Sequence, residues 1–519
     1  MSDLTVRTEP LGGSPLAALA TRADRDTPDW FVPAPTAPTA WTARAAATQG
    51  RFSGGRWFDA LRPAFGDAKS IAGVRLARVV QRGGVVVTTG QQPGLLGGPL
   101  YTLHKALSVL ALADALEQAT GIPVAPVFWA ATDDADIEEA RHVAIAVPGG
   151  VQWLRGPALG AEGTVMGLRA LGDVSIAVEA AVRAAGDAAD PALLAALRAA
   201  YAADVTVGSA YVTLLRRVLE PLGISVLDAW HDATRTATAP HLHEALVGAQ
   251  AIADAVHART AEIERAGFTP QVREVAGLSL VFSVVGGSKR RIPLAEAAAA
   301  PSVVPGTLSA NVLLRPVVES LVLPTVAYVA GPGELAYFAQ VTAVANALGV
   351  PAPLGVPRWS ATIIEPHVAR ILARRAITLD ELADPHTAET RRARAQLDPH
   401  VSAAIAALRA AVDTQLGTLA GHADAAVPTR AIEGTRLMLE HRIARLERRF
   451  VAAAKRADVD LMRDLGTVRG ALRPDDGRQE RALAWVPLLA RHGDALLASL
   501  RAGAAAHAER LVQGAVAAG

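Results

Sequence analysis

Three glycines, a histidine and a lysine crowd one short stretch of this chain: Gly94, Gly97, Gly98, His104 and Lys105. Glycine lets a ligand approach the backbone, and the open N–H groups of a helix's first turn favour negative charge, so the loop is a candidate phosphate or carboxylate site. Its spacing matches neither a P-loop nor GxGxxG, which leaves a tight structural turn as an equal reading. Lys105 stands out because the basic residues are overwhelmingly arginine; the lysines are Lys69, Lys105, Lys289 and Lys455. Downstream, the run Thr132 to Glu139 gathers Asp133, Asp134 and Asp136. Carboxylates are hard ligands suited to Mg²⁺, with one or two sufficing beside phosphates, although acids at a strand end also cap the next helix. A second glycine turn, Gly331-Pro332-Gly333-Glu334, puts Glu334 and Tyr337 in the first turn of another helix. There they could hold an amine or a ribose hydroxyl, or Glu334 could simply complement the helix dipole.

The elements that must position these residues alternate between strand and helix. Gly83 to Thr88 reads as a buried strand. Leu103, Ala106, Leu107, Leu110 and Ala113 follow at helical spacing until Gly121-Ile122-Pro123 ends the helix, and Val124 to Ala131 forms the next strand. Ile224 to Asp228 reads as a strand returning to the sheet. Leu323 to Ala330, the second glycine turn and a helix over Leu335 to Leu348 repeat the pattern, and Val350 to Val356 follows as a strand ending beside Arg358. The polar residues therefore collect at the carboxyl ends of strands, where open α/β sheets bind ligands.

Two other segments have a different grammar. Leu278 to Ile292 suggests a hairpin about Gly286-Gly287, and its basic knot Lys289-Arg290-Arg291 reads by about two to one as a solvated charge run rather than an anion contact. From about Leu379 the pattern becomes helical. Ile405, Leu408, Val412, Leu416 and Leu419 form one stripe; Leu439, Ile443, Leu446, Phe450, Ala453, Ala457 and Leu461 form another, with Pro428 between them. Such a heptad seam predicts an antiparallel coiled-coil hairpin, decorated on its second arm by Arg442, Arg445, Arg448 and Arg449 and suited to dimerisation.

Length and composition set bounds on function. A chain of 519 residues exceeds what one core holds, so two or three domains are expected. Aromatics are only 4% while alanine abounds, which favours close-packed helices. The formal net charge of +1 gives no general attraction for nucleic acid or membrane and points to small-molecule partners. With no cysteine there is no disulfide, thiolate-bound zinc or cysteine nucleophile. The N-terminal segment lacks a signal pattern and no run is long and apolar enough to span a bilayer, so the cytoplasm is the expected location.

The run from Thr89 to Lys105, the segment Val127 to Glu139, the block Leu314 to Gln340 and Gln479-Glu480-Arg481 together resemble the bacillithiol biosynthesis cysteine-adding enzymes, in order along nearly the whole chain. The resemblance implies a Rossmann-like core of nucleotidyl-transferase type, over residues 1–142, 206–235 and 309–378. Inserted segments at 143–205 and 236–308, a helical coiled coil at 379–472 and a C-terminal segment at 473–519 that packs on the core complete the expected organisation. The implied activity is a ligase that adds cysteine to the amine of glucosaminyl-malate, the last step of bacillithiol biosynthesis, with ATP and Mg²⁺ activating the cysteine carboxylate as an acyl-adenylate or acyl-phosphate. On this reading His104, Lys105, Asp134 and Asp136 are catalytic, and the two aspartates hold Mg²⁺ or the ammonium groups. Gln91, Gln92, Gly94, Gly97, Gly98, Tyr101, Gly331, Gly333, Glu334 and Tyr337 bind nucleotide or substrate, and Arg315 and Arg358 pair with the acceptor's carboxylates. A homodimer through the coiled coil is expected. One departure is plain: where the family usually has Glu-Asp-His-Asp, this chain has Asp133-Asp134-Ala135-Asp136. Another amine-acylating ligase of the same fold, or a noncatalytic coiled-coil interaction protein, are the alternatives.

Overall fold

A computed structural model describes residues 4–22, 29–52, 54–297, 308–383, 390–392, 394–395, 397–423 and 427–514. Five parallel strands form the central sheet: β1 (Val85–Gln91), β2 (Val124–Ala130), β3 (Ser225–Asp228), β4 (Thr325–Ala330) and β5 (Gly355–Pro357), in the spatial order β5-β4-β1-β2-β3. The order reverses between β1 and β4. In such sheets that reversal opens a crevice at the strands' carboxyl ends. Both faces are covered, as the β-branched runs predict. Val86, Val127, Trp129 and Leu227 bury on one side with Leu76 and Val79. Tyr328 and Ala330 pack with Val341 and Val344 on the other.

The helices that matter most for the site are α1 (Leu100–Thr120), α2 (Val207–Leu219), α3 (Arg315–Val322), α4 (Pro332–Ala347) and α5 (Trp485–Val512). From Leu100 to Ala113, α1 is buried at every position but Tyr101, as befits a helix sandwiched within a core. Gly121, at φ 70°, ends it.

Two expected strands change their bounds. β1 runs on to Gln91, so Gly90 and Gln91 belong to the strand's end. The strand expected over Val350 to Val356 shrinks to Gly355–Pro357, because only those residues find a ladder beside β4. The hairpin forms as expected, with Leu278–Val285 against Ser288–Pro293 and Gly286 and Gly287 at φ 58° and 83° in its turn; Leu308–Ala310 adds a third strand. Residues 298–307 of the second inserted segment lie outside the described residues.

The compact unit just described takes in the described residues of 4–145, 153–363 and 480–514; a second comprises the described residues of 146–152 and 364–479. In the second, helices Pro399–Ala420 and Thr429–Ala457 form the long hairpin. Its seam is rotated from the one the stripes suggest. Ile405, Ile443, Glu447 and Val451 are buried, whereas Leu408, Leu419, Leu446 and Phe450 are 40% or more exposed. Glu447 explains the rotation, because Arg394 and Arg409 both pair with its carboxylate and hold it inward. Arg442, Arg445, Arg448 and Arg449 are exposed. The Ala457 side chain lies outside the described set.

Candidate active site

A cleft of about 780 Å³ opens at the carboxyl edge of the sheet, where β1 and β4 diverge. Gly90, Gln91 and Gln92 at the end of β1, Asp133, Asp134, Ala135 and Glu139 after β2, and Gly331 to Glu334 at the start of α4 all line it. Tyr101 and Lys105 reach it from α1, Arg315 from α3 and Tyr337 from α4, while Arg358 lies just beyond β5.

Lys105 is the pivot. Its ammonium lies 2.5 Å from Glu334 Oε2 and donates to Gly90 O at 2.7 Å and Gln91 Oε1 at 3.0 Å. Burial depresses its pKa, while Glu334 acts in the opposite direction. Glu334 also accepts from Tyr328 Oη at 2.7 Å and from the Gly331 N–H at 2.7 Å, so its carboxylate closes the first turn of α4. Burial alone would raise Glu334, but Lys105 and Arg315 outweigh it and hold it below the usual carboxylate range. Arg315 stands 3.6 Å from Glu319 and 4.0 Å from Glu334. Its guanidinium occupies the space beside Gly90, where a Cβ would lie only 2.5 Å from Nη1. Glu319, 1% exposed, has its carboxyl pushed up to about 7 by burial, with Arg315 opposing.

Arg358 belongs to a second buried network. It grips Glu480 bidentately, with both N···O distances 2.7 Å, while His104 Nδ1 and Ser360 Oγ each lie 2.9 Å from Glu480 Oε2. Burial lowers the His104 pKa more than Glu480 raises it, so the ring is neutral and donates from Nδ1. Burial pushes Glu480 up, but His104 and Arg358 prevail and keep it ionised. Such a bidentate, hydrogen-bonded pair is how a buried charge becomes tolerable.

The structure therefore divides the residues expected from sequence. Gln91, Gln92, Tyr101, Lys105, Asp134, Arg315, Gly331, Gly333, Glu334, Tyr337 and Arg358 share the cleft. His104 does not: it is 0% exposed and points to Glu480. Gly94, Gly97 and Gly98 also lie outside the cleft lining and form a packing turn. The Gly97 N–H donates to Tyr201 Oη at 2.7 Å, that hydroxyl donates to Gly94 O, and the N–H of Leu100 is taken by Leu483 O. A Cβ on Gly97 would meet Trp485 at 2.6 Å. The anion-loop reading of this turn is corrected accordingly, because protein atoms occupy the space and the donors that an anion would use.

The acidic residues after β2 also bond to the backbone. Asp134 Oδ1 accepts from its neighbours' N–H groups at Ala135 and Asp136, and Asp136 is the N-cap of the short helix Ile137–Ala140, away from the cleft lining. Among the described residues no group of three His, Asp or Glu side chains is placed to hold a metal ion. Asp134 and Asp136 each cap backbone N–H groups through Oδ1, and Asp134 also lines the cleft.

Sequence reasoning missed several cleft residues. Glu139 faces the cleft, its pKa raised by burial and then by Asp136 and Asp134. Lys289 and Arg291, read as solvated, line it as well. Strand alternation about Arg290 was the available signal: residues two apart on a strand share a face. Glu480 lay within the terminal Gln479-Glu480-Arg481 block, but nothing local revealed Arg358 as its partner.

A parallel sheet of order 3-2-1-4-5 with a polar cleft at its switch point, in a chain that also carries a long helical hairpin, defines a Rossmann-like protein with a coiled-coil region. Two family models match in succession: Bacillithiol biosynthesis BshC, N-terminal Rossmann-like domain, over residues 64–300 and 289–359, and Bacillithiol biosynthesis BshC, C-terminal coiled-coil domain, over 361–509. The chain belongs to the bacillithiol biosynthesis BshC family. It is similar to proteins named "Putative cysteine ligase BshC" from Solibacter usitatus, at 30% identity over 80% of this chain and 82% of the relative, and from Koribacter versatilis, at 32% over 80% and 81%. The similarity extends to the protein of that name from Bacillus licheniformis, at 26% over 79% and 80%.

Proposed function

We propose that this protein is a cysteine ligase forming a carbon–nitrogen bond: it joins the carboxylate of L-cysteine to the amine of glucosaminyl-malate, the last step of bacillithiol biosynthesis. The observation that carries the reading is the Lys105–Glu334 pair, buried at the floor of the switch-point cleft between the ends of β1 and α4. The names of the relatives support the cysteine half of the reaction.

Amide formation from a free carboxylate is uphill in water, so a nucleotide is the natural co-substrate. ATP, entering with Mg²⁺ on its phosphates, would supply the activation of the cysteine carboxylate. A cleft of this size and position suits a ligand of that class. Lys105 offsets negative charge that develops at the reacting carboxylate, and its fixed bonds to Gly90 O and Gln91 remove the need to reorganise during reaction. Glu334 and Tyr337 orient an ammonium group at the start of α4. Glu139, with its raised pKa, accepts the proton that the attacking amine loses. Ala135 lines the cleft where the family usually has histidine, and the imidazole that lines it is His142.

The setting proposed for this activity is the cytoplasm; no described helix is long and apolar enough to cross a membrane. The exposed Leu408, Leu419, Leu446 and Phe450 of the helical hairpin support a homodimer formed there. The functional test is a mass-spectrometric assay of the purified protein with cysteine, glucosaminyl-malate, ATP and Mg²⁺, each omitted in turn. Bacillithiol formed only in the complete mixture is the expected result. Product without ATP would discard the activation chemistry, and no product from an acceptor that binds would discard the ligase reading for this amine.

A further inference from the structure

Three of the six Lys and Arg side chains that line the cleft already stand beside carboxylates of the protein itself, and Arg481 is a further lining cation. Lys105 pairs with Glu334 and Arg358 with Glu480, while Arg315 stands 3.6 Å from Glu319 and 4.0 Å from Glu334. The inserted sheet is different. On the strand Ser288–Pro293, Lys289 and Arg291 are two residues apart and so share a face, while Arg290 between them is exposed. Across the hairpin Arg291 pairs in register with Phe282, whose ring lies 4.9 Å from Lys289 Nζ and 5.4 Å from Arg291 Cζ. All three line the cleft.

Two cations thus flank one aromatic ring. Cation–π contact orients them without cancelling their charge. Arg291 makes no ion pair among the described residues. Lys289 comes no closer than 3.9 Å to Asp133, beyond hydrogen-bond range, and Asp133 already accepts from Ser309 Oγ at 2.6 Å. The Lys289 side chain is nevertheless only 9% exposed. Keeping an ammonium so far from water without a hydrogen-bonded carboxylate is costly, and an incoming anion repays that cost.

We propose that Lys289 and Arg291, held by Phe282, form the subsite for the dicarboxylate end of the amine acceptor, in place of Arg315 and Arg358. This rests on the ligase reading above. Side chains two apart on a strand emerge roughly 7 Å from one another, which lets two cations bracket a group with two neighbouring carboxylates where one cation would serve a single carboxylate. The ring between them offers an apolar floor for the carbon chain that links the carboxylates.

Calorimetric titration of the full-length protein tests this with three probes: glucosaminyl-malate, the methyl glucosaminide that lacks malate, and ATP. Lys289→Gln and Arg291→Gln should each weaken glucosaminyl-malate binding by about tenfold or more, as expected for loss of a charge-assisted contact. Binding of the methyl glucosaminide and ATP should be unchanged, Lys289→Arg should retain most of the affinity, and Arg290→Gln should match wild type. Wild-type affinity for glucosaminyl-malate in both Gln variants would overturn the subsite while leaving the ligase reading intact. Selective weakening of ATP would overturn it by assigning the pair to the nucleotide. Failure of the unaltered protein to bind either glucosaminide would overturn the subsite and the ligase reading together.

Discussion

The two glycine turns of this protein look alike in sequence and do opposite work. Each follows a core strand and opens a buried helix. Around Gly94 to Gly98 the space left by missing side chains is filled by the protein: Trp485 against Gly97, Gly98 against Gly94. Leu96 in the same turn is held at φ 54°, a strained value for a residue with a side chain, which persists because packing fixes it. Around Gly331 to Glu334 the neighbours are Glu334 Oε2, Arg358 and Lys105 at 3.3–3.8 Å, polar groups that border open cleft. Glycine next to a helix start therefore has two physical causes, close packing and ligand approach, and only the surrounding atoms distinguish them.

The segment 480–485 anchors the first turn's helix, and breaking it should have the largest effect. Glu480→Ala leaves Arg358 charged and buried, a loss of about 3–5 kcal/mol in unfolding free energy measurable by urea titration. Removing the carboxyl charge alone, in Glu480→Gln, should also blunt acid unfolding. Glu480 is held below its ordinary value of 4.5, so its stabilisation is full above that pH and is lost as pH falls through the depressed folded value. An unchanged acid limb would show that the carboxylate does not anchor this region.

Gly97→Ala comes next. With φ at 84° and Trp485 2.6 Å from the new Cβ, it should cost about 3 kcal/mol and lower the melting temperature. A variant as stable as wild type would remove packing as the reason for the first turn.

Near the second turn the pH signature reverses. Glu319 is raised to about 7, so it holds its proton in the folded state at pH values where the unfolded chain has released it. Stability from this group therefore falls as pH rises from about 4.5 to about 7. Glu319→Gln should flatten that decline, an effect on the order of 2 kcal/mol between pH 5 and pH 8. A decline as steep as in wild type would place the titrating group elsewhere.

The smallest effect on stability is expected for Gly333→Ala, where the nearest atom is Gln271 Nε2 at 3.8 Å. It should stay within about 0.5 kcal/mol of wild type while losing turnover about tenfold, because the methyl projects where substrate is positioned. Undiminished kcat/KM would separate the second turn from the chemistry.

These contrasts explain what the sequence could disclose. The strands, α1, α4 and the hairpin about Gly286-Gly287 were legible because periodicity and turn chemistry are local. Lys105 and Glu334 were found as separate residues, but not as a pair, since 229 positions of chain divide them and only the β1–β4 reversal brings them together. His104 misled for the same reason: its partner Glu480 lies in a segment with no local mark of contact. Asp134 and Asp136 carried two valid readings from sequence, and both do cap backbone N–H groups beside them. The buried Glu447 turned the coiled-coil seam away from the apolar stripe because its two arginine partners come from other stretches of the helical region.

Amide hydrogen exchange of the whole protein, with and without cysteine and ATP, tests most directly which turn meets the substrates. At the start of α4 Pro332 carries no N–H, the Gly331 N–H is held by Glu334 and that of Leu335 by Gly331 O; the Gly333 and Glu334 N–H groups fall where a helix has no intrahelical acceptor, so they exchange readily until a ligand covers them. In α1 the Leu100 and Thr102 N–H groups are already bonded to Leu483 O and Pro99 O. Ligand-dependent slowing at Gly333 and Glu334, with Leu95 to Leu103 unchanged, is the predicted result. Slowing confined to Leu95 to Leu103 would contradict the account and return the site to the first glycine turn.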